Sequence, residues 1–562
     1  MRVNIIGAGL AGLSAAVRLA QMNIASALIS MQTSERAQSV LAEGGINAAM
    51  NVSGENDTVQ EHFEDTMRGG VYLADPGAVR GLTQEAPLIV QELLDLGVPF
   101  NMEGDALVQR RFGGQKKTRT TYARSSTGKA LMTAMIDAAR RYENTIEAAG
   151  EALILRYPHH RFQELILRDG ACKGVRLQDT YTEKRIDLMG PVILAFGGPN
   201  GLFPGRTTGT TANDAGGLAT VFAQGVELAN LEFIQYHPTT VQISGKRMLI
   251  SEAARGEGGR LYVMRGSQKW YFMEEKYPEL GNLMPRDVVS REMDAILRDP
   301  ECQPPILLDL TGLSKKVWQK RLPDLRKEIR HYLDIDPARQ PVPVSPGIHF
   351  FMGGILVDRG HRTNIPNLYA AGECACQYHG ANRLGGNSLL GALYGGRVAA
   401  KSIAGQLFSV QKVQDTAEQS TKTDSSDFSA AAAEELARIL SKGLGIVRDQ
   451  AGIEEALKEL DVFGQELQLS GKLTEAESRR LKLAQAMLLC AHARKESRGA
   501  HTRSDYPARD DENWQKTTVA VYKDGNIQIS FREIPVQEIR ETEYIKETAA
   551  ALRDTGTKND QD

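Results

Sequence analysis

Residues 2–6 are a short, mostly apolar run, and Gly7-Ala8-Gly9-Leu10-Ala11-Gly12 follows it at once. Apolar positions then recur at helical spacing to about Gln21, and a second apolar run, Ser26-Ala27-Leu28-Ile29, ends at Ser30. This pattern predicts a strand–helix–strand unit opening on a glycine turn. Helical periodicity fills roughly 58–97 and 126–141, and apolar strands are expected near 151–156, 163–168 and 191–196. The last of these runs into Ala195-Phe196-Gly197-Gly198, another strand-to-glycine turn. From about 240 to 345 the pattern changes to short helices and irregular segments, including the proline-rich stretch Arg339–Pro346, and glycine motifs return at 353–396. The expected organisation is therefore a first domain in two parts, 1–239 and 346–408, interrupted by an inserted domain at 240–345. A polar linker at 409–429, a helical domain at 430–515 and a C-terminal segment at 516–562 with a frayed tail complete the chain.

Composition narrows the function classes. The 562 residues are 41% hydrophobic and 24% charged, with a net charge of -3, which gives no reason to expect nucleic acid or an anionic membrane as partner. No apolar run approaches the roughly 20 residues that span a bilayer. A strand beginning almost at Met1 leaves no room for a cleavable signal peptide, so a cytoplasmic location is the default, at the inner face of a membrane if a partner is anchored there. Five cysteines make no disulfide framework, and Cys374-x-Cys376 lacks the partner cluster of a metal site, so no metal is expected.

In the first glycine turn, Gly7 permits a tight bend, Gly9 lets the backbone approach a pyrophosphate, and Gly12 lets helix and strand pack closely. The acidic ribose ligand usual at the end of the second strand is missing, since Ser30-Met31 stands there. Its absence weakens an NAD reading and leaves FAD open.

Five further motifs occur in order: Gln235-Tyr236-His237-Pro238-Thr239, Ser251–Gly259 (SEAARGEGG), Pro285-Arg286-Asp287-Val288-Val289, His349–Gly354 (HFFMGG) and His379–Leu389 (HGANRLGGNSL). Together with Glu496–His501 (ESRGAH) and Asp510–Trp514 they resemble the succinate dehydrogenase/fumarate reductase flavoprotein family, which includes L-aspartate oxidase, over about nine-tenths of the chain. The resemblance implies an α/β fold: a Rossmann-type FAD-binding domain with an inserted α+β capping domain, then a helical domain. It also implies reduction of fumarate to succinate, or the reverse, by hydride transfer at flavin N5. L-Aspartate oxidase, or a reductase of another unsaturated acid, is the alternative.

Such a site must bind two carboxylates, stabilise developing negative charge and hold a proton donor. Arg383 can clamp a carboxylate with a bidentate fork, and His237, Ser251 and His349 can donate further hydrogen bonds. The resemblance assigns the proton donor to Arg286. A guanidinium can act as an acid only if a neighbour refills it, and Glu252 and Arg255 match the family's proton path. Taken alone, Glu252 and Arg255 read as a helix-face ion pair. For FAD the resemblance points to Gly44 and Gly45 beside the isoalloxazine, Gly197 and Gly198 near the dinucleotide, Asp214, Glu373 at the ribityl or ribose end, and Asn387, Ser388 and Leu389 near the ring. His379 reads as a residue that positions backbone rather than ligand.

Two departures stand out. Complex-forming members commonly attach FAD through a histidine, and Gln38 takes its place here, so noncovalent FAD is expected. Covalent attachment generally raises the flavin potential in this family, so its loss favours fumarate reduction. Phe351 replaces a small polar residue; facing the site it would reshape the pocket, and facing the core it would mean little. The chain has no cysteine pattern for a cluster, so a separate iron–sulfur subunit or another donor must supply electrons.

Overall fold

The computed structural model describes residues 2–144, 152–243, 245–407 and 429–535. The expected linker, apart from Ser429, and the C-terminal tail lie outside the described residues.

The first domain is built on a five-stranded parallel sheet in the order Leu368–Ala370, Val192–Leu194, Val3–Ile6, Ser26–Ser30, Ile154–Pro158. Val3–Ile6 is buried along its whole length, which is why its sequence runs apolar without alternation. Helix Leu10–Gln21 leaves this strand through the glycine turn and packs against helix Asn387–Leu407, where Ser14 Oγ donates to the Leu393 carbonyl at 2.7 Å. The chain thus returns, after 379 residues, to the face it first built. Gly7 and Gly12 meet the close packing expected of them. A Cβ on Gly12 would lie 1.8 Å from the Gly7 carbonyl oxygen, and one on Gly7 would lie 2.2 Å from that of Ala195.

The inserted region forms a six-stranded antiparallel sheet in the order Lys246–Leu249, Ile234–Ile243, Val342–Phe351, Cys302–Asp309, Arg260–Arg265, Gln268–Trp270. It begins at Ile234 and ends at Phe351, and these first and last strands in chain order lie side by side and carry two of the functional motifs. His237 pairs with Gly347 and Thr240 with Ser345, which leaves one extra residue on the first strand. Pro238, with no N–H to give a ladder, sits in that bulge.

Helices Ala430–Gly443, Gln450–Leu469 and Glu475–Ala493 form the helical region, the last opened by a reciprocal Thr474–Glu477 capping box. Strands Lys516–Lys523 and Asn526–Glu533 then join Leu228–Ala229, Gly354–Leu356 and Ala375–Cys376 in a second five-stranded sheet. A fully enclosed ionic network fixes this return. Arg494 donates to Glu232 at 2.7 Å, to Glu496 at 2.9 Å and to the Lys516 carbonyl at 2.6 Å, and Arg498 forks onto Glu496. The ESRGAH motif is therefore a clasp between regions. No helix among the described residues is long and apolar enough to cross a membrane.

Candidate functional site

A cavity of about 330 Å³ runs from the Gly7–Gly9 turn to a cluster of basic side chains beside the inserted sheet. Three local features bring that cluster together. On strand Ile234–Ile243, Gln235 and His237 are two apart and lie on one side, and the bulge at Pro238 follows. Arg286 is the first residue of helix Arg286–Arg298 and shares its buried face with Val289, Ser290, Met293 and Ile296, so helical spacing turns the guanidinium inward. Arg383 comes from the glycine-rich turn that precedes helix Asn387–Leu407.

The central contact is a buried pair. Arg286 donates to Glu252 Oε2 through Nε at 2.8 Å and Nη2 at 2.6 Å, while Glu252 Oε1 accepts from the Gly113 N–H at 2.9 Å. Arg255 Nη2 stands 3.6 Å from the same Oε1, and its Nη1 donates to the Asn282 carbonyl at 2.5 Å. Glu252 thus lies between two guanidiniums. Burial pushes its carboxyl up, but Arg286 and Arg255 outweigh that and hold it below the usual carboxylate range. Glu252 and Arg255 do form the i, i+3 pair that they suggest when taken alone, but both are almost completely buried.

Gln235, which had no assigned role in its motif, joins the two arginines. Its Oε1 accepts from Arg286 Nη1 at 3.1 Å and Arg383 Nη2 at 3.0 Å, and its amide donates to Asn382 Oδ1 and the Arg383 carbonyl at 2.8 Å each. The signal was present in its i, i+2 relation to His237. Replacing Gln235 by leucine leaves both guanidiniums short of an acceptor, and dicarboxylate affinity is expected to fall about tenfold, measured by equilibrium titration.

His237 and His349 face each other, with ring centroids 5.1 Å apart. Burial first, and then the charge of Arg286, hold both imidazoles well below the usual histidine range, so both are neutral near pH 7. His237 Nδ1 accepts from the Thr239 N–H at 3.3 Å, which leaves Nε2 as its donor. His349 Nδ1 lies 2.8 Å from the hydroxyl of Thr208, a second residue that carried no sequence signal. Two neutral donors make a testable difference. From pH 6.5 down to 5.5 an ordinary histidine gains its proton and tightens anion binding. With the folded values depressed, affinity for an unreactive dicarboxylate is expected to stay within twofold over that interval, as read by titration.

Arg383 lies 4.5 Å above the Phe350 ring, and its Nε has no hydrogen-bond partner among the described residues. Burial and then the nearby Arg286 charge disfavour its own charge, a cost that an incoming carboxylate offsets. Ser251 lines the cavity and is buried. Phe351 faces the other way, packed against Phe203 at 5.7 Å between centroids and 2% exposed. Phe350, not Phe351, lines the cavity. The Phe351 N–H does reach the site, donating to Glu373 Oε1 at 3.1 Å. Burial raises the Glu373 carboxyl to about 7, against the pull of that N–H and of Arg383.

Along the rest of the cavity lie Gly44, Gly45, Gly197, Gly198, Asp214, Ser388 and Leu389, together with Gln38, whose Oε1 accepts from the Thr210 N–H at 2.6 Å. Gly45, at φ +147°, is irreplaceable: a Cβ would lie 2.6 Å from the Thr121 carbonyl oxygen. Asn387 corrects the sequence reading. Its side chain does not line the cavity. It accepts from Asn47 at 2.7 Å, lies 3.1 Å from His62 Nε2 and donates to Thr66 at 3.0 Å, so it braces the wall behind the glycine turn. His379 is buried against Phe350, in keeping with a positioning role.

These residues fit FAD. The helix cap is Gly9, so no cap side chain covers the first-turn N–H groups where a pyrophosphate would lie. The cavity continues from there, past glycine-lined walls, to the basic cluster.

Comparison with known proteins agrees with this geometry. Residues 2–389 match the family model of the FAD binding domain, and residues 433–549 match that of the fumarate reductase flavoprotein C-terminus. The succinate dehydrogenase flavoprotein subunit of Bacillus subtilis is 36% identical, with 92% of this chain and 93% of that protein covered. The L-aspartate oxidase of a Nostoc species is 33% identical over 91% of this chain and 92% of its own length. Among solved structures, the E. coli quinol fumarate reductase flavoprotein superposes with a TM-score of 0.83 at 28% identity, covering 95% of this chain and 96% of that one. The chain belongs to the succinate dehydrogenase/fumarate reductase flavoprotein family and is an FAD-dependent oxidoreductase of that type.

Proposed function

We propose that the protein interconverts fumarate and succinate, with fumarate reduction as its working direction and FAD held noncovalently. The observation that carries this reading is the Glu252–Arg286 pair, buried beside a cavity that ends in Arg383, His237 and His349. Bound FAD supplies the hydride at N5. Arg383 grips one carboxylate, and the two neutral imidazoles and Ser251 donate to the dianion. Arg286 delivers the proton to the other alkene carbon. Glu252, held by Arg286 on one oxygen and facing Arg255 with the other, is the group through which the proton is replaced.

Gln38 supports noncovalent attachment, because its amide is already hydrogen-bonded in the wall and cannot form the histidyl bond. Acid precipitation of the holoprotein is expected to leave the yellow flavin in the supernatant; colour that stays with the pellet would refute this. Electrons are proposed to come from a separate iron–sulfur subunit or a diffusible carrier, with the protein on the cytoplasmic side of any membrane partner.

The Nostoc relative favours L-aspartate oxidase as the second reading. Two assays separate the readings: reduced viologen with fumarate under anaerobic conditions, and L-aspartate in air. Rapid viologen oxidation without aspartate-dependent peroxide is expected. The reverse would make the enzyme an aspartate oxidase.

A further inference from the structure

The cavity has a wall that the sequence did not anticipate. Helix Glu475–Ala493, from the helical region, contributes Ala476, Arg479 and Arg480 to its lining. The second strand finishes on the same side: Ser30 pairs with Pro158, and Arg161, three residues further on, stands 3.8 Å from the Asp214 carboxylate that Arg480 also holds; at the end of this strand a Rossmann site usually offers an acid to the adenosine ribose. Among the described lining residues, the carboxylate at this end is Asp214. Glu252 and Glu373 are engaged beside the basic cluster, and Glu43 adjoins Gly44.

Arg480 holds Asp214 at two points. Its Nη2 donates to Oδ2 at 2.6 Å, and its Nε donates to the Asp214 carbonyl at 3.0 Å. The other carboxylate oxygen, Oδ1, accepts from the Gly216 N–H at 2.9 Å. Ala215 between them is left-handed at φ +64°, a conformation that a non-glycine residue keeps only where its neighbours fix it. The Arg480 side chain is buried and that of Asp214 is partly exposed, so the arginine holds the carboxylate from the protein side. Arg479 lies beside it and reaches back to the Gln163 carbonyl and Thr220.

We propose that the helical region completes the cofactor site: Arg480 is a positioning residue that presents Asp214 to the adenosine-diphosphate half of FAD, so that binding this half and docking helix Glu475–Ala493 are coupled. The inference rests on the reading of Asp214 as a cofactor contact. Coupling of this kind suits a chain that Gln38 deprives of a covalent tether, because retention then depends on packing and hydrogen bonds alone.

The test is titration of the full-length, flavin-freed protein with FAD and, separately, with ADP. Arg480→Met keeps the length of the side chain and removes both donors. Dissociation constants for FAD and ADP are expected to rise together, about tenfold or more. Arg480→Lys, which retains charge but not the fork, is expected to fall between and serves if the methionine variant does not fold. FAD is also expected to slow amide exchange in residues 475–493 of the wild-type protein, and less so in the variants. Unchanged affinities would overturn the proposal, as would a loss confined to FAD with ADP unaffected, which would place the effect at the flavin end. Wild-type protein that bound neither ligand would overturn the reading of Asp214 and this inference with it.

Discussion

Replacing Arg286 by lysine is expected to lower fumarate turnover by about 10²–10⁴-fold while FAD remains bound. Three features of the guanidinium are lost together. Lysine cannot fork onto Glu252 Oε2 with two donors while a third reaches Gln235. Its shorter reach leaves the ammonium nearer the helix than the cavity. Glu252 would also stay buried with only the Gly113 N–H and the more distant Arg255 to hold its charge, so its carboxyl would rise from its depressed state and hold the proton it should pass on. The check is steady-state turnover with reduced viologen beside the flavin absorbance of the same sample. If turnover is unchanged, Arg286 is not the donor. If flavin is lost, the variant reports on assembly and Glu252→Gln takes its place.

The second large effect is expected at Arg383. Arg383→Met preserves the stacking over Phe350 and removes the charge. A charge-assisted pair lost at a buried site costs about 2–5 kcal/mol, or roughly 30- to several-thousand-fold in kcat/KM. Most of it should appear in KM, because the clamp holds substrate and transition state alike. A fall in kcat with KM unchanged would instead assign Arg383 to charge that develops during the reaction. Stability is expected to hold, since the wild-type guanidinium is itself disfavoured by burial and by Arg286.

Much of this molecule was legible in its sequence, for reasons that differ from part to part. The first strand, glycine turn and helix follow from a continuous apolar run and a spacing that only close packing explains, and residues 3–21 fold accordingly. The arginines and histidines of the basic cluster were legible only through their motifs, because nothing about a lone Arg286 or Arg383 says that it is buried. Gln235 and Thr208 were missed because an amide and a hydroxyl acquire meaning only from what faces them: two guanidiniums in one case, an imidazole in the other. Phe351 could not be decided because the bulged pairing of its strand sets which of two adjacent phenylalanines turns to the cavity. Asn387 was placed by its neighbours in a motif, whereas the helix start at that position points its side chain into the Asn47–His62 network.

The clasp at Glu232 has a consequence for how the chain is made. Glu232 is enclosed in the finished protein, and the guanidinium that neutralises it belongs to Arg494, 262 residues further on. At about 5–20 residues per second, a ribosome needs roughly 15–50 s to supply it. Over that interval the nascent first half carries a carboxylate destined for the interior with no counter-charge yet in existence. The early domain is therefore expected to complete its closure around Glu232 only after Arg494 has been made.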